Sequence, residues 1–336
     1  MGLLLVFADL LPDNLARLLP ETKLMRIIAL MNQKGGVGKT TTTVNLGAAL
    51  AEAGKSVCLI DMDPQAHLTL TYGIEPTPDQ PSLYTMLVEN GSFLETVRVL
   101  GKRLAVVPGS INLAAAEIEL VNVPGRETLL KRRLEAAEHD FDFVLMDCPP
   151  GLGLMTLNAL AAADEVIIPM QPHFLAMHGV GKLVETVDMV NARINPSLKV
   201  AGIVFTMFDS QARHSGEVVD EVQRYFDALK SIPGPCTDTV LFKTRIRRNI
   251  KLAESPSFGQ TILQYDPTSN GAQDYRALAR EVINLGKGKT PAATPVAAAI
   301  STPTAAPTPA VTAAPATTAK TPTTTLPKAP GAGKHA

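Results

Sequence analysis

The sequence predicts an α/β fold with a mostly parallel, twisted sheet flanked by helices. Three observations carry that expectation. Short apolar runs of strand length alternate with amphipathic helical runs from Arg26 to Leu285, the pattern of βαβ units. The turn after the first apolar run is glycine-rich and closes on Gly38-Lys39-Thr40 where a strand gives way to a helix. Two later apolar runs end in aspartate, at Asp61 and Asp147. Carboxylates are thereby delivered to strand C-termini, where open α/β sheets bind ligands.

In chain order, Arg26 to Leu30 reads as a short buried strand. Thr42 to Ala53 reads as a helix, with Val44, Leu46, Ala49 and Leu50 apolar. Between them runs Met31-Asn32-Gln33-Lys34-Gly35-Gly36-Val37-Gly38-Lys39-Thr40-Thr41. A glycine-rich turn there aims several backbone N–H groups at one point, and the helix N-terminus adds its partial positive charge. Such a point binds phosphate. The general pattern is Gly, four residues, then Gly-Lys-Ser/Thr. Its first position falls here on Gln33, so the loop is a variant. Lys39 is placed to reach the β- and γ-phosphates, and the Thr40 hydroxyl to hold Mg²⁺.

Ser56 to Ile60 reads as a second buried strand, delivering Asp61-Met62-Asp63-Pro64-Gln65. Beside a triphosphate, one carboxylate can hold Mg²⁺ through water and another can orient the attacking water. Pro76 to Pro81 is a loop, Ser82 to Val88 a short helix and Leu104 to Val107 a strand. Arg126 to Glu138 mixes Leu129, Leu130, Leu134 and Ala137 with charges, which predicts an amphipathic helix. Phe141 to Met146 is a strand that ends at Asp147, followed by Cys148-Pro149-Pro150-Gly151. An apolar strand ending in Asp is the Walker B arrangement, in which the carboxylate holds Mg²⁺ or its water. The alternation continues with strands Val166–Pro169 and Val200–Thr206 and helices Met177–Asn191, Glu217–Leu229 and Gln273–Leu285.

Composition bounds the function. Of 336 residues, 46% are hydrophobic, enough for a large core, and the net charge is -1. There is no global basic field, so any nucleic-acid binding must come from a local patch. The densest one is Lys243-Thr244-Arg245-Ile246-Arg247-Arg248-Asn249-Ile250-Lys251, which no acid interrupts. Cys58, Cys148 and Cys236 lie far apart, which argues against a disulfide framework or a cysteine-only zinc site and fits a reducing cytoplasm. Tryptophan is absent and aromatics are 4%, so base-stacking platforms are not expected. No run reaches the ~18 apolar residues of a membrane span. Leu3-Leu4-Leu5-Val6-Phe7 lacks a preceding basic region, so no signal peptide is expected. Residues 1–24 read as an extension, either a short extra helix or a start codon placed too early, because Met25 directly precedes the first strand. From Thr290 the chain is mostly Pro, Thr and Ala, a composition that cannot bury a core. The expected organisation is an extension over 1–24, a folded domain over 25–288 and a disordered tail over 289–336. The tail has no amphipathic apolar stripe, so a membrane-targeting helix is not expected there.

The run Lys34-Gly35-Gly36-Val37-Gly38-Lys39-Thr40-Thr41 resembles the deviant Walker A loop of the ParA/MinD family of P-loop ATPases. In that family the extra lysine, here Lys34, reaches across a nucleotide-sandwich dimer to the partner's phosphates. Asp61-Met62-Asp63-Pro64-Gln65 is similar to the family's second signature, which implies that Asp63 positions water and Asp61 helps organise the metal. Arg213 stands where the family has an arginine that contacts DNA in some members. Against the family's Ile-Pro-Arg-Asn-x-Arg, Arg247 replaces the proline, Arg248 and Asn249 match, and Lys251 stands for the second arginine. The resemblance implies that Asn249 borders the adenine, Arg248 supports that loop, and Lys251 meets DNA phosphate, with Arg245 and Arg247 adding charge to the same patch. Two further departures are Gly151 for Ser, and Ala176-Met177-His178-Gly179 for Ala-Leu-Glu-Gly.

The same resemblance implies a Mg²⁺-dependent ATP hydrolase with Lys34, Lys39 and Asp63 catalytic. Thr40, Asp61 and Asp147 serve the metal, and ATP is held by residues 34–41 with Arg248 and Asn249. The Asp-Pro-Gln, Asp-Cys-Pro-Pro and Tyr-Asp-Pro signatures resemble ParA-type chromosome or plasmid partitioning ATPases. Such a protein dimerises on ATP, binds DNA without sequence preference, and is stimulated by a ParB-like centromere-binding partner. It is cytoplasmic, nucleoid-associated when ATP-bound, and not stably on membranes. A MinD-like regulator of a membrane site would need a terminal amphipathic helix, and a metal-carrier ATPase a cysteine pair. Positioning of another cargo, such as a protein cluster, is not separated from DNA partitioning by sequence.

Overall fold

Near-continuous runs of Ile, Val and Leu make strands that must be covered on both faces. In the computed structural model, which describes residues 25–137, 140–173, 176–209 and 211–285, such runs form β1 (Arg26–Leu30), β2 (Val57–Asp61) and β5 (Phe143–Asp147). These central strands sit in an eight-stranded sheet of order β3-β4-β2-β5-β1-β6-β7-β8. The others are β3 (Arg98–Val99), β4 (Leu104–Val107), β6 (Glu165–Met170), β7 (Lys199–Phe205) and β8 (Val240–Leu241). Every pairing is parallel except that of the short edge strand β3 with β4. The extension over 1–24 and the tail over 289–336 expected from composition lie outside the described residues.

The helices in order are α1 (Lys39–Glu52), α2 (His67–Thr71), α3 (Leu83–Leu87), α4 (Phe93–Thr96), α5 (Leu113–Glu119), α6 (Leu129–Glu135), α7 (Leu154–Ala162), α8 (Ala176–Arg193), α9 (Arg213–Leu229), α10 (Ile250–Glu254), α11 (Ile262–Tyr265) and α12 (Asn270–Leu285). Alternate residues of each strand feed alternate layers. Ile28 and Leu30 join Val44, Leu46 and Leu50 of α1 and Tyr275 and Leu278 of α12 on one face. Ala29 joins Leu160 of α7, Leu183 of α8 and Val222 of α9 on the other.

The structure differs from the sequence pattern at several short elements, two of which bear on packing beside the site. Arg126 to Glu138 is not one helix: a 3₁₀ turn, Arg126–Thr128, precedes α6. The break has a partner across the layer. Asn158 of α7 accepts from the Leu130 amide at 3.1 Å and donates to the Arg126 carbonyl at 2.8 Å. Helix α7 itself, Leu-Met-Thr-Leu-Asn-Ala-Leu-Ala-Ala, is apolar nearly all round and so carries no helical period to read.

Register now places the carboxylates. Asp61 pairs with Asp147 across β2 and β5, and Asp147 pairs with Leu30 across β5 and β1. Both aspartates therefore emerge at the C-terminal edge of the sheet, immediately beside the loop that follows β1.

Candidate nucleotide site

The loop from Met31 to Gly38 is pinned at both ends and open in the middle. Asn32, buried, donates to the Pro169 carbonyl at 2.9 Å and accepts from the Lys34 amide at 3.0 Å. Thr206, just past β7, donates to the Val37 carbonyl at 2.7 Å. Gly38 has φ 84, the left-handed conformation that swings the chain into α1 with little steric cost. Around the added-carbon positions of Gly35 and Gly36 there is open space. Gly38 supplies no side-chain cap, and the first turn of α1 has no acid, so its N-terminal N–H groups face a ligand site with favourable polarity.

Lys39 is buried, at 7% exposure, and its ammonium reaches the Lys34 carbonyl at 3.3 Å. Burial pulls its pKa down, and the nearby Asp147 carboxylate opposes that shift. Asp147 is buried too, at 1%. Its Oδ1 accepts from the Thr43 hydroxyl at 3.3 Å, while Oδ2 has no hydrogen-bond partner. Burial first, then the charge of Asp61, push the Asp147 pKa up to about 8, and the neighbouring Thr40 and Lys39 side chains work the other way.

Asp61 is equally buried but fully engaged. Its Oδ2 accepts from the Thr69 amide at 2.9 Å and the Thr69 hydroxyl at 2.6 Å; its Oδ1 accepts from the Asp63 amide at 3.3 Å. Burial raises its pKa to about 6 against those hydrogen bonds. The Thr69 hydroxyl in turn accepts from the Gly109 amide at 2.9 Å. Any side chain at Gly109 would press on Asp61, its added carbon 3.1 Å from the Asp61 carbonyl oxygen. Asp63 is half-buried, with Oδ1 accepting from the Gln65 amide at 2.9 Å and its carbonyl from the Ala66 amide at 2.9 Å. Asp61 thus shapes the turn that presents Asp63, whereas Asp147 keeps a bare oxygen.

Those residues fit the group the loop calls for. A buried carboxylate oxygen without a partner, a buried ammonium and a glycine-opened helix N-terminus suit a divalent cation on a polyphosphate. Next to the loop, bounded by Gly38 and Thr41, lies a cavity of about 380 Å³ whose far wall is Met207, Arg248, Asn249 and Tyr275. The Arg248 amide is held by the Phe208 carbonyl at 3.1 Å, and Asn249 caps α10 by accepting from the Lys251 amide at 2.9 Å. The cavity is of a size to take a base attached to the phosphates.

The basic run is acid-free in sequence but not in space. Arg247 is clamped by Asp274 of α12 through contacts of 2.6 to 3.1 Å, and Lys251 pairs with Glu254 at 2.8 Å. Arg247, expected from sequence to add charge to a DNA-facing patch, holds the Asp274 carboxylate with its guanidinium. Arg245 lies over the Phe208 ring at 4.5 Å. Arg213 opens α9, but its side chain and that of His178 lie outside the described residues. Lys34 is exposed, and its ammonium hydrogen-bonds Nε2 of His173 in the loop after β6. No sequence motif singles out His173, Thr43, Thr69, Thr206 or Met207. Thr206 directly follows a strand end and is open to suspicion from sequence; Thr69, inside a short helix, has no such signal.

The fold and this site define a nucleotide-triphosphate-binding P-loop protein. Comparison with known proteins is in keeping. The AAA domain family profile matches residues 25–200. The chain is 45% identical over 262 residues to the sporulation initiation inhibitor protein Soj of Bacillus subtilis, covering 78% of this chain and 99% of that one. It is 42% identical over 267 residues to the chromosome partitioning protein ParA of Myxococcus xanthus, covering 79% and 90%. Among solved structures, cobyrinic acid a,c-diamide synthase of Mycobacterium smegmatis with bound ADP and magnesium superposes with a TM-score of 0.65 at 36% identity, over 78% of this chain and 95% of that one. The chain belongs to the ParA/MinD family of P-loop ATPases. It is an ATP hydrolase that uses ATP and Mg²⁺. Bound at this site, Mg²⁺ supplies charge neutralisation on the phosphate oxygens.

Proposed function

We propose that this ParA-type partitioning ATPase dimerises on ATP, binds DNA without sequence preference, and drives chromosome or plasmid segregation with a ParB-like partner. The observation that carries the reading is the different burial of two lysines of one loop. Lys39 is buried with Asp147 and serves its own protomer's phosphates. Lys34 is exposed at the lip, where a second protomer can approach. In this reading Thr40 and Asp147 hold Mg²⁺, Asp61 fixes the turn, and Asp63 orients the attacking water. Arg248 and Asn249 wall the base. Arg213, Arg245 and Lys251 meet DNA phosphates, with Arg247 bracing their loop through Asp274.

One protomer neutralises few phosphates, so DNA affinity should be weak until a dimer sets two patches on one body. Binding to unrelated duplexes, measured with and without ATP across a salt series, tests the reading. It expects ATP-dependent, sequence-independent and steeply salt-dependent binding. Binding that ignores ATP would contradict it. Among the described residues no helix is long and apolar enough to cross a membrane.

A further inference from the structure

Lys34 and Lys39 leave one loop in different directions. Lys39 turns inward, and Lys34 turns along the surface to His173. The frame around that contact is stiff. Asn32 ties the loop to the end of β6 through the Pro169 carbonyl and also holds the Lys34 amide. His173 follows β6 by a short stretch, Gln171-Pro172. Both partners are thus carried by segments already bonded to each other. An imidazole nitrogen accepts from an ammonium only through an unprotonated lone pair. The contact lies at an exposed position.

We propose that His173 is a positioning residue for Lys34: it parks the ammonium on its own chain, and the contact breaks when Lys34 turns to phosphates across a dimer. The inference rests on the cross-dimer role given to Lys34 above. Own-chain parking then competes with dimerisation. An exposed contact of this kind contributes about a threefold preference, and each dimer breaks one per protomer, so the two together shift the dimer dissociation constant by about tenfold. Lys39 and Asp147 are buried, whereas the Lys34–His173 contact is exposed, so ATP binding to a single protomer should not change.

Three substitutions grade the acceptor. His173→Ala removes it and should tighten the ATP-dependent dimer by about tenfold. His173→Gln keeps a hydrogen-bond acceptor and should stay near wild type. His173→Glu makes an ion pair and should weaken the dimer. The measurement is sedimentation over a protein concentration series, with Mg²⁺ and a slowly hydrolysed ATP analogue, alongside Lys34→Ala. ATP hydrolysis gives an independent readout: the protein concentration for half-maximal rate should follow the dimer constant, while the rate per dimer stays fixed. The order Ala, then wild type with Gln, then Glu, from tightest to weakest, supports the proposal. If Lys34→Ala fails to dimerise while all three His173 variants match wild type, parking is refuted and the cross-dimer role stands. If the three variants weaken the dimer alike, His173 supports the interface instead and parking is refuted. If Lys34→Ala dimerises as wild type does, the cross-dimer reading falls and parking falls with it.

Discussion

Asp147→Asn should make the nucleotide-free protein more stable at neutral pH and erase part of its pH dependence. The cause is burial. The Asp147 carboxyl titrates at about 8 in the fold against an ordinary 3.8, because burial and the adjacent Asp61 disfavour its charge. A folded pKa above the unfolded one means the folded state holds more protons between the two values. Stability is then present at low pH and falls as pH rises through that window, by about 1.4 kcal/mol per unit for one group. Between about pH 5 and about pH 7 this amounts to roughly 3 kcal/mol. Asparagine keeps the shape and cannot ionise, so the variant should gain about that much on wild type over the same interval. Asp61, raised to about 6, leaves a smaller slope at the acidic end in both proteins. Urea unfolding of both proteins without nucleotide, at the two pH values, gives the difference directly. A stability difference that does not change with pH would refute the assignment of a protonated Asp147. The same variant should lose Mg²⁺-dependent nucleotide binding, since the carboxylate charge that would face the cation is gone.

Asp63→Ala should bind ATP and dimerise yet release phosphate very slowly, because water loses its orienting partner; near-normal turnover would assign that work elsewhere. Lys251→Ala should weaken binding to all duplexes alike and flatten the salt dependence by about two units per dimer, whereas Glu254→Gln, which frees Lys251, should strengthen it. An unchanged slope in both would leave this loop out of the DNA interface. Ala66 has φ 52 at the start of α2, so Ala66→Gly should relieve left-handed strain, offset by added freedom in the unfolded chain and by loss of a buried methyl. The terms nearly cancel, so thermal melting should show a change within about 0.5 kcal/mol, or roughly 1–2 °C in Tm, and a loss of several degrees would mean that φ 52 stores no strain.

The sheet was legible because strands covered on both faces must be apolar throughout, and Arg26–Leu30, Val57–Asp61 and Phe143–Asp147 are close to that. The phosphate loop was legible because backbone approach to an anion needs glycine, and glycine is conspicuous. That Asp61 and Asp147 end their strands was legible too, but not that register would set them side by side. Their different fates hang on Thr69, which saturates one and not the other, and a threonine in a short helix announces nothing. The acidic neighbours of the basic run were hidden for a related reason. Charge along a sequence ignores charge across a layer, and Asp274 reaches Arg247 from α12. Helix α7 escaped because an all-apolar segment has no period.

The central claim is that one loop carries two lysines with separate duties, one for its own phosphates and one for a second protomer. Sedimentation of wild type and Lys34→Ala, each with Mg²⁺ and a slowly hydrolysed ATP analogue, tests it most directly. Wild type should shift from monomer to dimer on adding the analogue. Lys34→Ala should bind the analogue through Lys39 and stay monomeric. A Lys34→Ala protein that dimerises like wild type would contradict the account.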